Sequence, residues 1–367
     1  MKYVFSALIF LHGAIHLMGF LKAFKLAQIE QLTTGISKIS GIFWLLTFIL
    51  FLVSCIAYLA KADWWHILAF IAVLISTILI ITVWNDAKFG TIANVIILIV
   101  AIAGCGTTTF HNKYERDVKT GLIQTASVPE SILTETDIEY LPEPVKNYIR
   151  YTGFVGKPRI NNFRLEFNGQ IRKNEQSEWM PFTTVQYNFL EESTRLFFMK
   201  AFMKKLPVGG YHCFINGKAF MDIRLFSLFK VQYQSGNEMN ISETVTFFND
   251  MCCMAPGTLI DKRIKWVEVD GNNVKAEFSN NNITISAWLS FNDNGELINF
   301  ISEDRYAYVD NAGMQKFAWT TPLKDYKKVD GFNLASYAEA IYKYPEGDLC
   351  YGTFHLIHVE YNCKNLK

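Results

Sequence analysis

Two hydrophobic patterns follow one another along this chain, and they predict two different environments. Up to residue 110 the sequence consists of four long apolar runs separated by short polar breaks. From Arg159 onward, apolar and polar residues alternate with a period of two. Apolar runs of about 20 residues are typical of membrane-spanning helices, whereas period-two alternation is typical of strands in an antiparallel sheet.

The four apolar runs predict four transmembrane helices, at residues 3–20, 41–60, 64–84 and 89–110. The first run is uncharged over 18 residues, which at the helical rise makes about 27 Å, enough for the hydrocarbon core. Four soluble core helices in succession would leave no polar face for water. We therefore expect a multi-pass protein of the inner (plasma) membrane, with the lipid bilayer as a partner. Lysines and arginines are distributed almost evenly between the two sides of the predicted membrane region, so they barely decide its orientation. The free thiols favour a cytoplasmic location of the large domain.

The second pattern predicts a domain rich in β structure. Residues 111–140 are polar, and we interpret them as a linker; a proline-started helix follows at residues 141–151. Turn signals at short intervals then divide residues 159–361 into about ten or eleven strands. Residues 241–256 keep a helical period instead and end at Pro256.

Together these elements predict an α+β protein. A four-helix transmembrane bundle (residues 1–110) precedes the linker and a mainly antiparallel β domain (residues 141–367), built as a curved sheet or half-barrel around the helix. The chain contains 30 phenylalanines and 17 tyrosines, more than a flat sheet with one helix needs. They predict either an aromatic-lined cavity or a plain aromatic core.

Charge and motif content exclude several functions. A formal net charge of +1 gives no footprint for nucleic acid. His12 and His16 share a helix face inside the predicted membrane region, but His66 and His111 lie at another depth and cannot converge with them on a haem. We expect neutral histidines that are hydrogen-bonded across helices or face a polar cavity, with no metal and no cofactor. The sequence contains no specific catalytic motif, so catalytic residues stay unknown and an enzymatic role stays undecided.

Several groups of residues resemble a known family. They are Trp179–Phe182, Arg195–Phe198, Asn216–Ala219, Glu243–Asp250 with Ala255 and Pro256, Asp304–Tyr306, and Gly347 and Asp348 with Tyr351. As a set they resemble an uncharacterised bacterial membrane-associated family, described only as a domain of unknown function, over residues 140–362. The N-terminal region is loosely similar to DoxX-type four-helix membrane proteins. The inferred architecture is distantly similar to the lipoprotein-carrier (LolA-like) fold, which implies an acyl-chain ligand, while the family implies no established activity.

The predicted helix and one strand supply the candidate ligand contacts. They are Glu243, Phe247, Asp250, Asp304, Arg305 and Trp319. Glu243 and Asp250 are two helical turns apart, about 10 Å, which is too far to share a proton. We expect Glu243 to pair with Arg305 and Asp304 with a neighbouring strand, in a ligand cavity or only as structural contacts.

Three functions fit these predictions. The first is a membrane-anchored protein whose β domain binds a hydrophobic or lipid-like ligand in the cavity between sheet and helix. The second is an enzyme that uses Glu243, Asp250 or Asp304 on a membrane-derived substrate. The third is a scaffold without a ligand.

Overall fold

A computed structural model describes residues 2–204, 206–309 and 313–367. The chain divides into two compact units, Met1–Phe110 and His111–Lys367. In the described part, the first unit is helical, and the second combines one large sheet with a few helices. The predicted α+β class, with apolar helices before an antiparallel sheet, is confirmed.

Helices build the first unit, and the last of them continues beyond it. Their bounds are α1 Lys2–Ala23, α2 Lys38–Leu59, α3 Trp65–Thr82, α4 Trp84–Ala87 and α5 Gly90–Thr125. Within the described residues, α1, α2, α3 and α5 are long and apolar enough to cross a membrane. At most 44% of the residues in the apolar stretch of each are buried. Since most of this apolar surface faces outward, the unit is suited to a lipid environment.

Inside the first unit the helices are joined by polar side chains. His12 Nε2 donates to Asn94 Oδ1 at 2.8 Å, and Asn94 Nδ2 donates to Thr77 Oγ1 at 3.0 Å. His16 Nδ1 donates to the carbonyl of His12 at 2.9 Å, and its Nε2 lies 2.9 Å from Ser76 Oγ. The predicted hydrogen bonding of these histidines across helices is confirmed.

The described residues of the second unit form three further α-helices, a 3-10 turn at Pro256–Thr258 and the strands of the sheet. The helices are α6 Glu135–Ile138, α7 Glu143–Thr152 and α8 Asn237–Met254. The strands are β1 Asn162–Ile171, β2 Met180–Phe189, β3 Thr194–Met203, β4 Leu206–Ile215, β5 Lys218–Leu225, β6 Phe229–Ser235, β7 Ile264–Asp270, β8 Asn273–Asn280, β9 Ile283–Phe291, β10 Leu297–Val309, β11 Gly313–Val329, β12 Phe332–Tyr344 and β13 Gly347–Tyr361.

The strands of the described chain form a single antiparallel sheet of thirteen, in the order β6-β5-β4-β3-β2-β1-β13-β12-β11-β10-β9-β8-β7. The chain runs outward from β1 to the edge strand β6, crosses through α8 to the opposite edge β7, and returns to β13 beside β1. Helix α8 contacts strands of both halves, including β4, β5, β9 and β10. One helix can contact both halves only if the sheet curves around it.

Two details differ from the sequence prediction. The sheet of the described chain has thirteen strands instead of ten or eleven, and its edge strand β6 is exposed along nearly its whole length. Helix α8 begins at Asn237 and not at residue 241. Gly236, with φ of 108°, turns the chain directly from β6 into α8.

The end of α5 packs against part of the sheet face opposite α8. Tyr114 Oη donates to the carbonyl of Val185 at 3.1 Å. Gly121 lies so close to Phe189 that a Cβ there would come within 2.5 Å of the ring. The segment 111–140, which we expected to be a linker, thus holds the helical residues up to Thr125 and the short helix α6.

Candidate functional site

A cavity of about 260 Å³ lies between α8 and the inner face of the sheet. Its wall is largely aromatic or sulfur-containing, and includes Phe167, Phe182, Phe197, Met199, Met221 and Phe354. Alternation in the strands places these side chains inside: on β3, Arg195, Phe197 and Met199 share one face. An apolar cavity with a few convergent polar groups is the usual form of a small-molecule site.

Helix α8 divides its residues between the cavity and the core. Glu243, Thr246, Asp250 and Cys253 line the cavity, and their spacing of three or four residues places them on one side of the helix. Phe247, next to these residues on the helix, does not line the cavity and packs its ring 5.9 Å from Phe214 and 6.1 Å from Phe278, measured between centroids. The helix therefore presents polar groups to the cavity and is held by an apolar core beside them.

Arg195 connects the two carboxylates of α8. Its Nη1 donates to Glu243 Oε2 at 3.1 Å and its Nε donates to Asp250 Oδ2 at 2.7 Å. Gln186 and Asn188 of β2 donate to the same Asp250 oxygen, at 2.7 and 3.1 Å. Glu243 also lies 3.8 Å from His212 Nδ1. The two acids, too far apart to share a proton, share one guanidinium instead.

This network changes the acidity of Glu243. Burial raises its pKa, but the charge of Arg195, the neighbouring His212 and the charge of Arg305 outweigh burial and lower the pKa to about 2. Glu243 is therefore ionised near neutrality and is a weak base.

Arg305 lies on the cavity wall formed by β10 to β13. Its Nε donates to Tyr342 Oη at 3.0 Å, and its Nη1 donates to Thr246 Oγ1 and to the carbonyl of Ser242. The guanidinium lies over the ring of Trp319, with 4.4 Å between its carbon and the ring centroid. It is thus held by α8 on one side and by an aromatic ring on the other.

Four of the six predicted residues line the cavity: Glu243, Asp250, Arg305 and Trp319. Phe247 instead packs in the core against Phe214 and Phe278. Asp304 does not line the cavity; it accepts a hydrogen bond from the backbone N–H of Ser286 at 2.8 Å and pairs with Lys316 at 2.7 Å. The expected contact of Asp304 with a neighbouring strand is thus confirmed, but the expected direct pair of Glu243 with Arg305 is wrong, because Arg195 takes that place.

Arg195, Gln186 and His212 were missed as candidates. Arg195 carried a signal, because it is a charged residue in a run, Thr194 to Phe198, that is apolar on both strand faces. Such a strand is buried on both sides, and a buried cation there needs acidic partners. Within the described residues, no three histidine, cysteine or acidic side chains are grouped as metal ligands.

A membrane-type helical unit followed by a curved sheet around a buried helix defines the class of this protein. Residues 131–354 match the model of DUF6544, a family of unknown function, and the chain belongs to that family. The predicted resemblance to a domain of unknown function is thereby confirmed. No curated protein matches the chain.

Three solved structures are similar to this chain at low identity. A DUF1329 family protein from Desulfovibrio piger gives a TM-score of 0.33 at 10% identity and covers 63% of this chain and 94% of its own. A LolA superfamily protein from Nitrosomonas europaea gives a TM-score of 0.30 at 8% identity and also covers 63% of this chain and 94% of its own. A β-barrel-like DUF1849 protein from Brucella abortus gives 0.16 at 9% identity, with coverages of 55% and 98%. A LolA-like structure is thus among the neighbours, but likeness this weak carries no functional assignment.

Proposed function

We propose that this chain is a membrane-anchored binding protein whose β-rich unit takes a hydrophobic or lipid-like molecule into the cavity beside α8. The supporting observation is the wall of that cavity, in which aromatic and methionine side chains from β1 to β5 and from β13 face α8. Apolar surface of this kind favours an apolar occupant, since burying it removes both surfaces from water.

We favour binding over catalysis because of the state of the acids. Both carboxylates of α8 are engaged by Arg195, and the lowered pKa of Glu243 makes it a poor proton acceptor near neutrality. An enzyme acting on a membrane-derived substrate would need at least one of them released. A scaffold that binds no ligand would not need an apolar cavity wall.

We also propose that helices α1, α2, α3 and α5 cross the inner membrane, as in DoxX-type four-helix proteins, and that the β-rich unit faces the cytoplasm. We propose with it the domain division predicted from sequence: residues 1–110 form the transmembrane region, residues 111–140 the linker and residues 141–367 the β-rich domain. Green fluorescent protein and alkaline phosphatase, each fused to the C-terminus, test the side. Fluorescence without phosphatase activity is expected, and the reverse would place the β-rich unit outside.

Photolabelling of the full chain in nanodiscs tests the binding function. The probe is dodecanol with a diazirine at the chain end, and labelled peptides are located by mass spectrometry. We expect labelled peptides from the strands that line the cavity as well as from the apolar helices. If only the apolar helices are labelled, the β-rich unit does not bind the probe and the proposed function is wrong.

A matched pair of variants locates the label. Ala340 lines the cavity, so Ala340→Phe fills it and reduces labelling of the cavity strands. Thr183 is exposed on β2, next to the cavity residue Phe182 but on the other face. Thr183→Phe adds the same ring without occupying the cavity, and labelling is expected to be unchanged.

A further inference from the structure

We infer that the occupant is a single-chain amphiphile whose anionic head, a carboxylate or a phosphate monoester, is bound at Arg305. This inference rests on the proposed function and adds the chemical class of the ligand. The supporting observation is a set of hydrogen-bond donors on the cavity wall that have no acceptor among the described residues.

Arg305 forms no direct ion pair with an acid among the described residues, and Glu243 interacts with its charge only at longer range. No aspartate or glutamate oxygen in the described chain lies within 4.0 Å of its side-chain nitrogens, and the acceptors at Nε and Nη1 are neutral oxygens. Nη2 makes no hydrogen bond to any described residue. A partly buried guanidinium is stabilised by a paired anion, and its planar donors suit carboxylate and phosphate.

Two further donors lie on the same wall. Thr321, 7% exposed, lines the cavity two residues beyond Trp319 on β11, and its buried Oγ1 has no hydrogen-bond partner. Tyr351 Oη accepts a hydrogen bond from Trp319 Nε1 at 3.2 Å, and no acceptor for its own hydrogen occurs in the described chain. Because Trp319 contacts both Arg305 and Tyr351, one anionic head with several oxygens can accept from these two residues, and Thr321 offers a further donor on the same strand face.

The other charged groups of the cavity are already engaged. Arg195 is shared between Glu243 and Asp250. Glu339 lies 3.5 Å from Lys324 and accepts from Tyr337 Oη at 3.0 Å. Arg172 Nε donates to the carbonyl of Cys350 at 2.8 Å, and its guanidinium lies over Trp179. Among the cations that line the cavity, Arg305 is therefore the one best placed for an incoming anion.

The size of the cavity limits the rest of the ligand. Its volume of about 260 Å³ is just below the roughly 300–1,000 Å³ usual for small-molecule sites. That volume suits one acyl chain along the aromatic wall and is too small for a complete two-chain phospholipid. The head at Arg305 and the chain along Phe182, Phe197 and Phe354 give the ligand a defined direction.

Photolabelling of the full chain in nanodiscs with three probes of equal chain length tests the inference. The probes are dodecanoate, dodecyl phosphate and dodecanol, each with a terminal diazirine, and labelling of the cavity strands is normalised to that of α1 and α2. We expect one or both acids to label the cavity about tenfold more than the alcohol. The preferred acid identifies the head as carboxylate or phosphate.

Variants assign the selectivity to Arg305. Arg305→Gln is expected to remove the preference for the acids while labelling by dodecanol stays within about twofold, and Arg305→Lys is expected to keep part of it. Thr321→Val, which keeps the side-chain shape, is expected to lower acid labelling several-fold and serves if Arg305→Gln does not fold. Lys265→Gln removes an exposed cation outside the cavity; it is the control and is expected to keep the preference.

The outcomes separate the two proposals. If all three probes label the cavity equally, or if the preference for the acids survives in both Arg305→Gln and Thr321→Val, the inference about the head group is wrong while the binding function stands. If no probe labels the cavity strands, the proposed function itself fails.

Discussion

Arg195 of β3 and Asp250 of α8, both in the cavity wall, are joined by a 2.7 Å hydrogen bond between a guanidinium nitrogen and a carboxylate oxygen. Their side chains are only 8% and 13% exposed. One strand residue and one helix residue thus form a largely buried ion pair, with Glu243 as a second acid on the same guanidinium. This pair fixes α8 against β3 and sets the polar side of the cavity.

Replacing Arg195 by methionine is expected to destabilise the protein strongly. The change leaves two buried carboxylates without their cation, and removal of one partner of a buried pair costs about 3–5 kcal/mol. Chemical unfolding of the full chain, followed by the fluorescence of the β-rich unit, measures the loss. Lys265→Met is the control, because Lys265 is paired with Glu277 but 75% exposed, so a change within about 0.5 kcal/mol is expected. Equal effects of the two variants would contradict the role of Arg195.

The lowered pKa of Glu243 predicts a loss of stability in acid. With a folded-state pKa of about 2 against an ordinary 4.5, the ionised group stabilises the fold above pH 4.5, and this contribution is lost as the pH falls towards 2. Asp137 has a similarly lowered pKa, through hydrogen bonds from Thr134 and Arg159, so the wild type alone is not diagnostic. The difference in unfolding free energy between wild type and Glu243→Gln is expected to be constant above about pH 5 and to shrink below it. A constant difference down to about pH 3 would show that Glu243 is not held ionised by Arg195.

Helical spacing made the acidic side of the site predictable, whereas its basic side depends on contacts far apart in the chain. Glu243 and Asp250 lie two turns apart, so the sequence alone places them on one side of a helix. Their partner Arg195 is 48 residues from Glu243 and reaches it because the sheet curves around α8. Curvature follows from the packing of both sheet halves on one helix, which no local pattern encodes.

A β-bulge explains why Arg305 lines the cavity and Asp304 does not. The register between β10 and β11 shifts between Ser302 and Arg305. Phe300 and Ala307 are both buried although they are seven residues apart, which strict alternation would not allow. The bulge offsets the alternation by one residue and brings Arg305 to the same face as Ala307. A period-two pattern continued from Phe300 would have placed Asp304 there, so the sequence supported both candidates.

Substitution of Asn94 is expected to weaken the helical unit moderately. Asn94 is 3% exposed and connects His12 of α1 with Thr77 of α3 through its two amide atoms. Asn94→Ala leaves both partners without that connection, and hydrogen bonds between membrane helices are worth about 0.6–2 kcal/mol. Unfolding of the full chain in mixed detergent and sodium dodecyl sulfate micelles measures the change. A variant as stable as wild type would mean that His12 and Thr77 find other partners.

The close approach of α1 to α2 predicts that Gly19 cannot be replaced without loss of stability. A Cβ on Gly19 would lie 2.2 Å from the ring of Trp44, a residue that is 2% exposed and cannot move aside. Gly19→Ala is therefore expected to separate the helices and cost about 1–3 kcal/mol, measured as a lower temperature of thermal unfolding in detergent. Gly35 is the matched control, since a Cβ there meets nothing within 4 Å, and Gly35→Ala is expected to leave that temperature unchanged. Because helix propensity alone would make alanine more stable than glycine inside a helix, a stabilising effect of Gly19→Ala would show that α1 and α2 are not in this close contact.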